Sequence, residues 1–264
     1  MSSNQPLVLL TNDDGFDAQG ITALFQQLKD WGQTFIVAPS QEKSASSLSL
    51  TLHHPLRVKS VQKNIYAVDG TPADCVYLAV QKLLPRYPDL LISGLNHGPN
   101  LGQQDISYSG TVAGALQGAF LSIPSIAVSV LSDKKGKYSF NYAAKVVSAL
   151  AQKLVENSLP PRIALNINIP SPPIKGVKIA TLGEKRYNPR VIEKTDPRGR
   201  HYYWIGTGNP QDIGDPDSDV VVAKQGYIAV TPLQKDLTDS TTVRSRTLNM
   251  ILASIQDEFL ETKK

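Results

Sequence analysis

One cysteine, Cys75, stands in 264 residues. A lone thiol excludes an internal disulfide, a cysteine-held zinc cluster and a dithiol redox pair. No stretch reaches the roughly 20 apolar residues of a membrane span. The opening MSSNQPLVLL has no basic residue ahead of its apolar run, so no secretory signal peptide is expected. Basic residues exceed acidic ones only slightly, 27 against 23, for a net charge of +4. The sequence pI is about 9.0. This balance suits small anionic ligands. No dense basic stripe and no basic–aromatic interleaving argue for nucleic acid. A cytoplasmic enzyme is the expectation, with neither membrane nor nucleic acid as a partner.

Several catalytic motifs are missing too. There is no GxSxG elbow, and the histidines are only His53, His54, His97 and His201, which disfavours a Ser-His-Asp hydrolase. No GxGxxG follows the first strand; the turn there is acidic and would repel a pyrophosphate unless a metal intervened. No GxxxxGK[ST] is present, which disfavours a P-loop NTPase. What remains is 41% hydrophobic and 19% charged, the balance of a globular protein able to bury a sizeable core.

Strand and helix patterns alternate through the first two-thirds. LVLL (7–10) reads as a buried strand, and Ile21, Leu24, Phe25, Leu28 and Trp31 then fall at helical spacing. TFIVA (34–38) is a short strand. SLSLTLHHPLRVKSV (47–61) suggests a hairpin or edge strands, and NIYAVDG (64–70) is a strand ending in a turn. Pro72 opens a helix carrying Val76, Tyr77, Val80, Leu83 and Leu84. DLLISG (89–94), IPSIAVSV (123–130) and RIALNINIP (162–170) are further strands. Helices are expected around Val112–Phe120 and Val146–Leu154. The pattern argues for an α/β fold: a mostly parallel sheet with helices on both faces. The carboxyl ends of its strands share one edge, where such sheets bind ligands. NDDG, SQEKSASS and GLNHGPN each follow a strand and sit at that edge.

From about Thr181 helical periodicity ceases, and residues 182–218 read as an extended arm or long hairpin. DVVVAKQGYIAVTPL (219–233) returns to strand. Leu248, Ile251, Leu252, Ile255 and Phe259 mark an amphipathic terminal helix over about 244–262. The expected organisation is one α/β domain over 1–264, with its core at about 5–181 and 219–237. The arm and terminal helix are left for oligomer contacts.

Asp13 and Asp14 follow the first strand directly. Adjacent anions repel, and both lose hydration if the strand end is buried. A divalent cation offsets that repulsion. Gly15 permits the turn that lets both side chains converge. The alternative is a plain turn, with one Asp capping the helix near Ala18. In APSQEKSASS the hydroxyls and Lys43 suit a metal or phosphate contact, or an ordinary polar loop. SGLNHGPNLGQQDISYSGTVAGA (93–115) sets asparagines among glycines and runs into Ser109-Gly110-Thr111 at a helix start. Free amides there bind phosphate, and Ser109 or Thr111 also suits a cap. The two roles are compatible. His97 suits a substrate contact or proton donor, or a surface histidine. Cys75 reads as packed core. Arg198 and Arg200 suit a subunit or anion contact; Tyr202, Tyr203 and Trp204 suit base stacking or interface packing.

Together LLTNDDG, VAP with its serine-rich loop, VDGTPADCV, SGLNHGPN, YSGTVAGA, IPSIAVS, DPRGRHYYWIG and GYIAVTPL resemble the SurE (survival protein E) family of nucleotidases, in the expected order from residue 7 to about 237. The resemblance implies a Rossmann-like fold and one divalent ion, Mg²⁺ or Mn²⁺, per subunit. It implies hydrolysis of nucleoside 5′-monophosphates to nucleoside and phosphate. Asp13, Asp14, Ser44 and Asn96 carry over as metal ligands, with Asp13, Asp14 and Asn96 catalytic. Ser109, Gly110 and Thr111 carry over as the phosphate-binding turn, with Asn12 beside them. The choice of Ser44 over Ser46 or Ser47 rests on the family motif alone. Homodimers or homotetramers built by exchanging C-terminal elements are also implied.

Two carboxylates, a hydroxyl and an amide oxygen are hard donors that favour Mg²⁺ or Mn²⁺ over zinc. The expected nucleophile is a water held by the ion. The sequence departs from the family in two places: the loop carrying Asp105 is one residue longer, and Gln117 stands where Glu is common. Competing readings are a non-catalytic nucleotide-binding regulatory module, or a phosphatase acting mainly on other phosphomonoesters or polyphosphate.

Overall fold

LVLL lies in the first strand, β1 (Leu7–Thr11), which is buried throughout. The apolar run is continuous because both faces are covered. Val8 and Leu10 pack with Ile21, Leu24 and Leu28 of helix α1 (Gln19–Leu28). Leu7 and Leu9 project to the opposite face. There they meet Cys75 and Val76 of α2 (Pro72–Leu78) and Ala79 and Val80 of the π-helical turn that continues it. Each such fully buried leucine contributes about 1.5–3 kcal/mol.

The computed structural model describes residues 5–157, 163–188, 190–206, 208, 210–239, 242–247 and 249–253. The chain divides into two compact units, Met1–Leu233 and Gln234–Lys264. The remaining strands, in chain order, are β2 (Gln33–Pro39), β3 (Val58–Gln62), β4 (Ile65–Val68), β5 (Leu90–His97), β6 (Ser125–Val130) and β7 (Ile163–Ile169). They continue with β8 (Val177–Ile179), β9 (Glu184–Arg186), β10 (Arg190–Thr195), β11 (His201–Gly206), β12 (Gln211–Ile213) and β13 (Ile228–Gln234). The remaining helices are α3 (Gly102–Tyr108), α4 (Gly110–Phe120), α5 (Phe140–Glu156) and α6 (Asp219–Lys224). No helix among the described residues is long and apolar enough to cross a membrane.

Nine strands form the main sheet in the order β3-β4-β2-β1-β5-β6-β7-β13-β8. From β4 across to β7 neighbouring strands are parallel. At one edge β3 is antiparallel to β4, and at the other β13 and β8 are parallel. Helices α1 and α5 cover one face, and α2 and α4 the other. This is the expected architecture. The chain leaves β1 for β2 on one side, and β5 lies on the other, so the strand order reverses at the β1–β5 boundary. That reversal opens a crevice between the loops at the carboxyl ends of the two strands. The arm folds as two antiparallel pairs, β10 with β11 and β9 with β12.

Three segments differ from the sequence pattern. Within 47–61 only Val58–Gln62 is strand. The preceding loop is held by side chains instead: the Thr51 amide and hydroxyl both donate to the Asp74 carboxylate, at 2.9 and 2.7 Å. Asp74 also closes a capping box with Thr71 at the start of α2. The second segment, 219–233, is not all strand, because Asp219–Lys224 is helix. The buried Asp219 carboxylate accepts from the amides of Val220, Gly102 and Gly183 at 2.8–2.9 Å, and Val220, Val222 and Ala223 pack inward. Tertiary packing there overrides the strand preference of a valine run. Third, the glycine-rich loop after β5 contains the helix α3. Of the terminal helix expected over 244–262, residues 246–247 and 249–253 are helical, while 248 and 254–262 lie outside the described residues.

Candidate active site

β1 ends in a turn that Asn12 closes on itself. Its side-chain amide donates to Gly15 O at 2.8 Å, and the Gly15 amide donates back to Asn12 Oδ1 at 3.2 Å. Gly15 sits at φ +112°, a conformation glycine adopts without a Cβ penalty. The turn presents Asp13 and Asp14 into the crevice. Asp13 is then held from two other loops. Lys43 N–H donates to Asp13 O at 2.7 Å, and Thr111 Oγ1 donates to Asp13 Oδ1 at 2.5 Å.

Ser109-Gly110-Thr111 starts α4. Ser109 Oγ accepts from Val112 N at 3.1 Å, an N-cap. The Gly110 and Thr111 amides face the Asp13 carboxylate and favour its ionised form. A Cβ on Gly110 would lie 2.7 Å from Asp13 Cβ, 2.8 Å from Asp13 Oδ2 and 2.8 Å from Ser46 Oγ. Glycine is therefore required here by close approach. Gly110, Asp13 and Ser46 form one tight cradle, and Ser46 Oγ is buried in it with no hydrogen-bond partner.

Asp14 pairs with His97 Nδ1 at 2.8 Å; the Asp14 side chain is 7% exposed and that of His97 53%. Burial pushes the Asp13 carboxyl above the usual carboxylate range. Burial, and next the charge of Asp13, push Asp14 up to about 6, against the pull of His97. A nearby cation inverts that logic and favours both ionised forms.

Asn96 lies at the end of β5, where pairing with β6 shifts register between Ser93 and Asn96. Such irregularities re-aim side chains. Asn96 Nδ2 donates to Gly98 O at 2.8 Å, which leaves the carbonyl oxygen as its end for a cation. Ser44 is placed differently. It is exposed and donates to Glu42 Oε1 at 2.6 Å. The loop reaches Asp13 through the neighbouring Lys43 amide and through Ser46, not through the Ser44 hydroxyl. The structure thus brings Asn12, Asp13, Gly110 and Thr111 together, sets Asp14 against His97 beside Asn96, and leaves the Ser44 hydroxyl on Glu42, whose charge is felt at Asp14.

The residues fit a hard divalent cation. Two carboxylates start at the strand end, neutral oxygens flank them, and the Ser46 hydroxyl is orphaned beside Asp13. Among the described residues no group of three or more His, Cys, Asp or Glu could hold a metal. A cation here would therefore rely on two carboxylates plus neutral oxygens.

Other contributors were not read from the sequence. Asn100 anchors the GPN loop: its amide donates to Asn168 Oδ1 at 2.9 Å and its side chain to Ser129 Oγ at 2.8 Å. Its carbonyl accepts from Asn166 and Asn168 at 2.8 and 2.9 Å. The alternating asparagines of LNINIP were the available signal. Asp105, in the lengthened loop, is buried against Lys185 Nζ at 2.6 Å and Tyr187 OH at 2.5 Å. Its carbonyl accepts from the Ser109 amide at 3.0 Å, so it ties the arm to the start of α4.

An open parallel α/β sheet with an acidic pair at its strand-order reversal, facing a helix N-terminus, defines the class: a Rossmann-like protein built to hold a cation beside an anionic group. The family model described as Survival protein SurE matches residues 8–189, and the chain belongs to that family. It is 44% identical over 233 residues to the 5′-nucleotidase SurE of Syntrophotalea carbinolica, covering 88% of this chain and 93% of the relative. It is also 44% identical over 243 residues to the 5′-nucleotidase SurE of Vibrio cholerae, covering 90% and 95%. The crystal structure of the SurE protein from Aquifex aeolicus superposes with a TM-score of 0.80 at 39% identity, covering 93% of this chain and 100% of that one.

Proposed function

We infer that the chain is a 5′-nucleotidase: it hydrolyses nucleoside 5′-monophosphates to nucleoside and phosphate with a divalent cation, Mg²⁺ or Mn²⁺. The observation that carries this reading is the buried Asp13–Asp14 pair held against the N-terminus of α4 by Thr111. Asp13, Asp14 and Asn96, with a hydroxyl from the serine loop, are the residues that would hold one cation. A bound cation neutralises phosphoryl charge and supplies an activated water. The chain's own residues do the rest. The α4 dipole and the turn at Ser109-Gly110-Thr111 favour the phosphate dianion. Asn12 keeps both carboxylates in place. A doubly protonated His97 would keep its Nδ1–H on Asp14 and give its Nε2 proton to the leaving 5′-oxygen.

Phosphate release from a nucleotide panel with Mn²⁺ or Mg²⁺, abolished by EDTA and restored by metal, tests the reading. No release from any member would overturn it. A homodimer or homotetramer is part of the same proposal. Supporting it, both faces of the β10–β11 hairpin carry exposed apolar side chains, Val191, Tyr203 and Ile205 on one and Ile192 and Trp204 on the other. A monomer mass in light scattering at micromolar concentration would refute it. A cytoplasmic setting fits the lone, buried thiol of Cys75.

A further inference from the structure

We propose that the groove between α1 and the start of α5 is the nucleobase subsite, with Tyr138 as its stacking residue; this rests on the nucleotidase reading. The groove is a concavity of about 500 Å³, within the range of small-molecule sites. It adjoins the acidic turn from two directions. Asp17, three residues past Asp14, lines it, and so does Tyr138. The Tyr138 ring meets the His97 ring edge-on at 5.9 Å between centroids, and His97 is itself bonded to Asp14. Tyr138 also stacks on Phe140, centroids 5.6 Å apart and planes 17° apart.

The lining has the chemistry of base recognition. The stacked Tyr138–Phe140 pair can present only the ring faces turned away from each other, and Gln19, Gln26 and Asn141 offer neutral amides. Aromatic rings stack on any base, and an amide both donates to and accepts from a base edge. Tyr138 is 36% exposed, so its ring is reachable. A phosphate at the turn before α4 and a 5′-oxygen near His97 would place ribose over His97 and the base against Tyr138. The larger concavity, about 650 Å³, is lined by Arg186, Tyr187 and Arg190 of the arm. Its Tyr187 donates to Asp105 at 2.5 Å, one helical turn, about 5.4 Å, before Ser109.

The test compares AMP and CMP with ribose 5-phosphate, which carries the same phosphate and sugar without a base. Tyr138→Ala should raise KM for both nucleotides about tenfold or more and change ribose 5-phosphate much less, the residual change coming from the contact of the same ring with His97. Tyr138→Phe should restore nucleotide KM, because it keeps the ring. Tyr187→Ala should leave the ratio between substrates as in the wild type. Adenosine alone, titrated into EDTA-treated protein and followed by NMR, should perturb Tyr138 and be lost in Tyr138→Ala. Equal effects on all three substrates, or loss of base preference in Tyr187→Ala instead, would overturn the proposal. If the wild type turned over none of the three, the nucleotidase reading would fail, and the adenosine titration would still decide whether the groove binds a base.

Discussion

Thr111 Oγ1 donates to the carboxylate of Asp13 at 2.5 Å, joining two residues 98 positions apart in the chain. The bond locks the acidic turn after β1 to the N-terminus of α4, so the proposed cation and phosphate sites are built as one unit. Thr111→Val keeps the side-chain shape and removes the donor. A hydrogen bond to a charged group is worth about 1.5–3 kcal/mol, so activity should fall about tenfold to a hundredfold, with Thr111→Ser close to wild type. Steady-state kinetics beside circular dichroism checks this; wild-type kcat/KM in Thr111→Val would contradict it.

Gly110 admits no side chain. An added Cβ would sit 2.7 Å from Asp13 Cβ and 2.8 Å from Ser46 Oγ; the serine hydroxyl can rotate away, but Asp13 Cβ cannot move without its backbone. Gly110→Ala should destabilise the fold by about 1–3 kcal/mol and displace Asp13. Mn²⁺ affinity and kcat/KM should both drop, and a urea melt read beside a calorimetric titration separates the two effects. Unchanged metal affinity would mean that the cradle is not part of the cation site.

Stability should depend on pH and on metal together. Burial raises both carboxyls of the pair above the ordinary 3.8, Asp14 to about 6. A group with a raised folded pKa stabilises fully below its unfolded value, and that contribution is lost as pH rises through the folded value. In EDTA the pair therefore costs stability increasingly from about pH 4 to about pH 6 and above. A cation binds the ionised pair and offsets that cost. The gain in Tm from saturating Mn²⁺ should be several degrees at about pH 8 and small at about pH 4.5. Scanning fluorimetry with and without EDTA reads it; a gain independent of pH would count against Asp13 and Asp14 as the ligands.

Much of this was legible in the chain. The run Leu7–Leu10 reads as a buried strand because both faces are covered, and that erases alternation. Asp13-Asp14-Gly15 reads as a site because adjacent acids after such a strand need a cation or a turn to justify them. The serine loop was harder. Several hydroxyls compete there, and only packing shows that Ser46 is the one buried against Gly110 while Ser44 bonds Glu42. Helix α6 was hidden because a valine run favours strand locally, and the Asp219 carboxylate that overrides it works through amides 36 and 117 residues away. The Asn100 network was hidden for the same reason, since it joins positions 66 and 68 residues apart. Tyr138 lies in a polar loop with no periodicity, and nothing in its neighbours announces that it meets His97.

The central claim is that Asp13 and Asp14 hold the cation that makes this chain a nucleotidase. The most direct measurement is phosphate release from AMP with Mn²⁺ by the wild type, Asp13→Asn and Asp14→Asn, beside calorimetric Mn²⁺ titration of all three. Each substitution removes one charge and keeps the shape. The account predicts that the wild type is active, silenced by EDTA and restored by Mn²⁺. It predicts that both variants, still folded, lose activity by orders of magnitude and bind Mn²⁺ much more weakly. Wild-type turnover or unchanged Mn²⁺ affinity in both variants would contradict it.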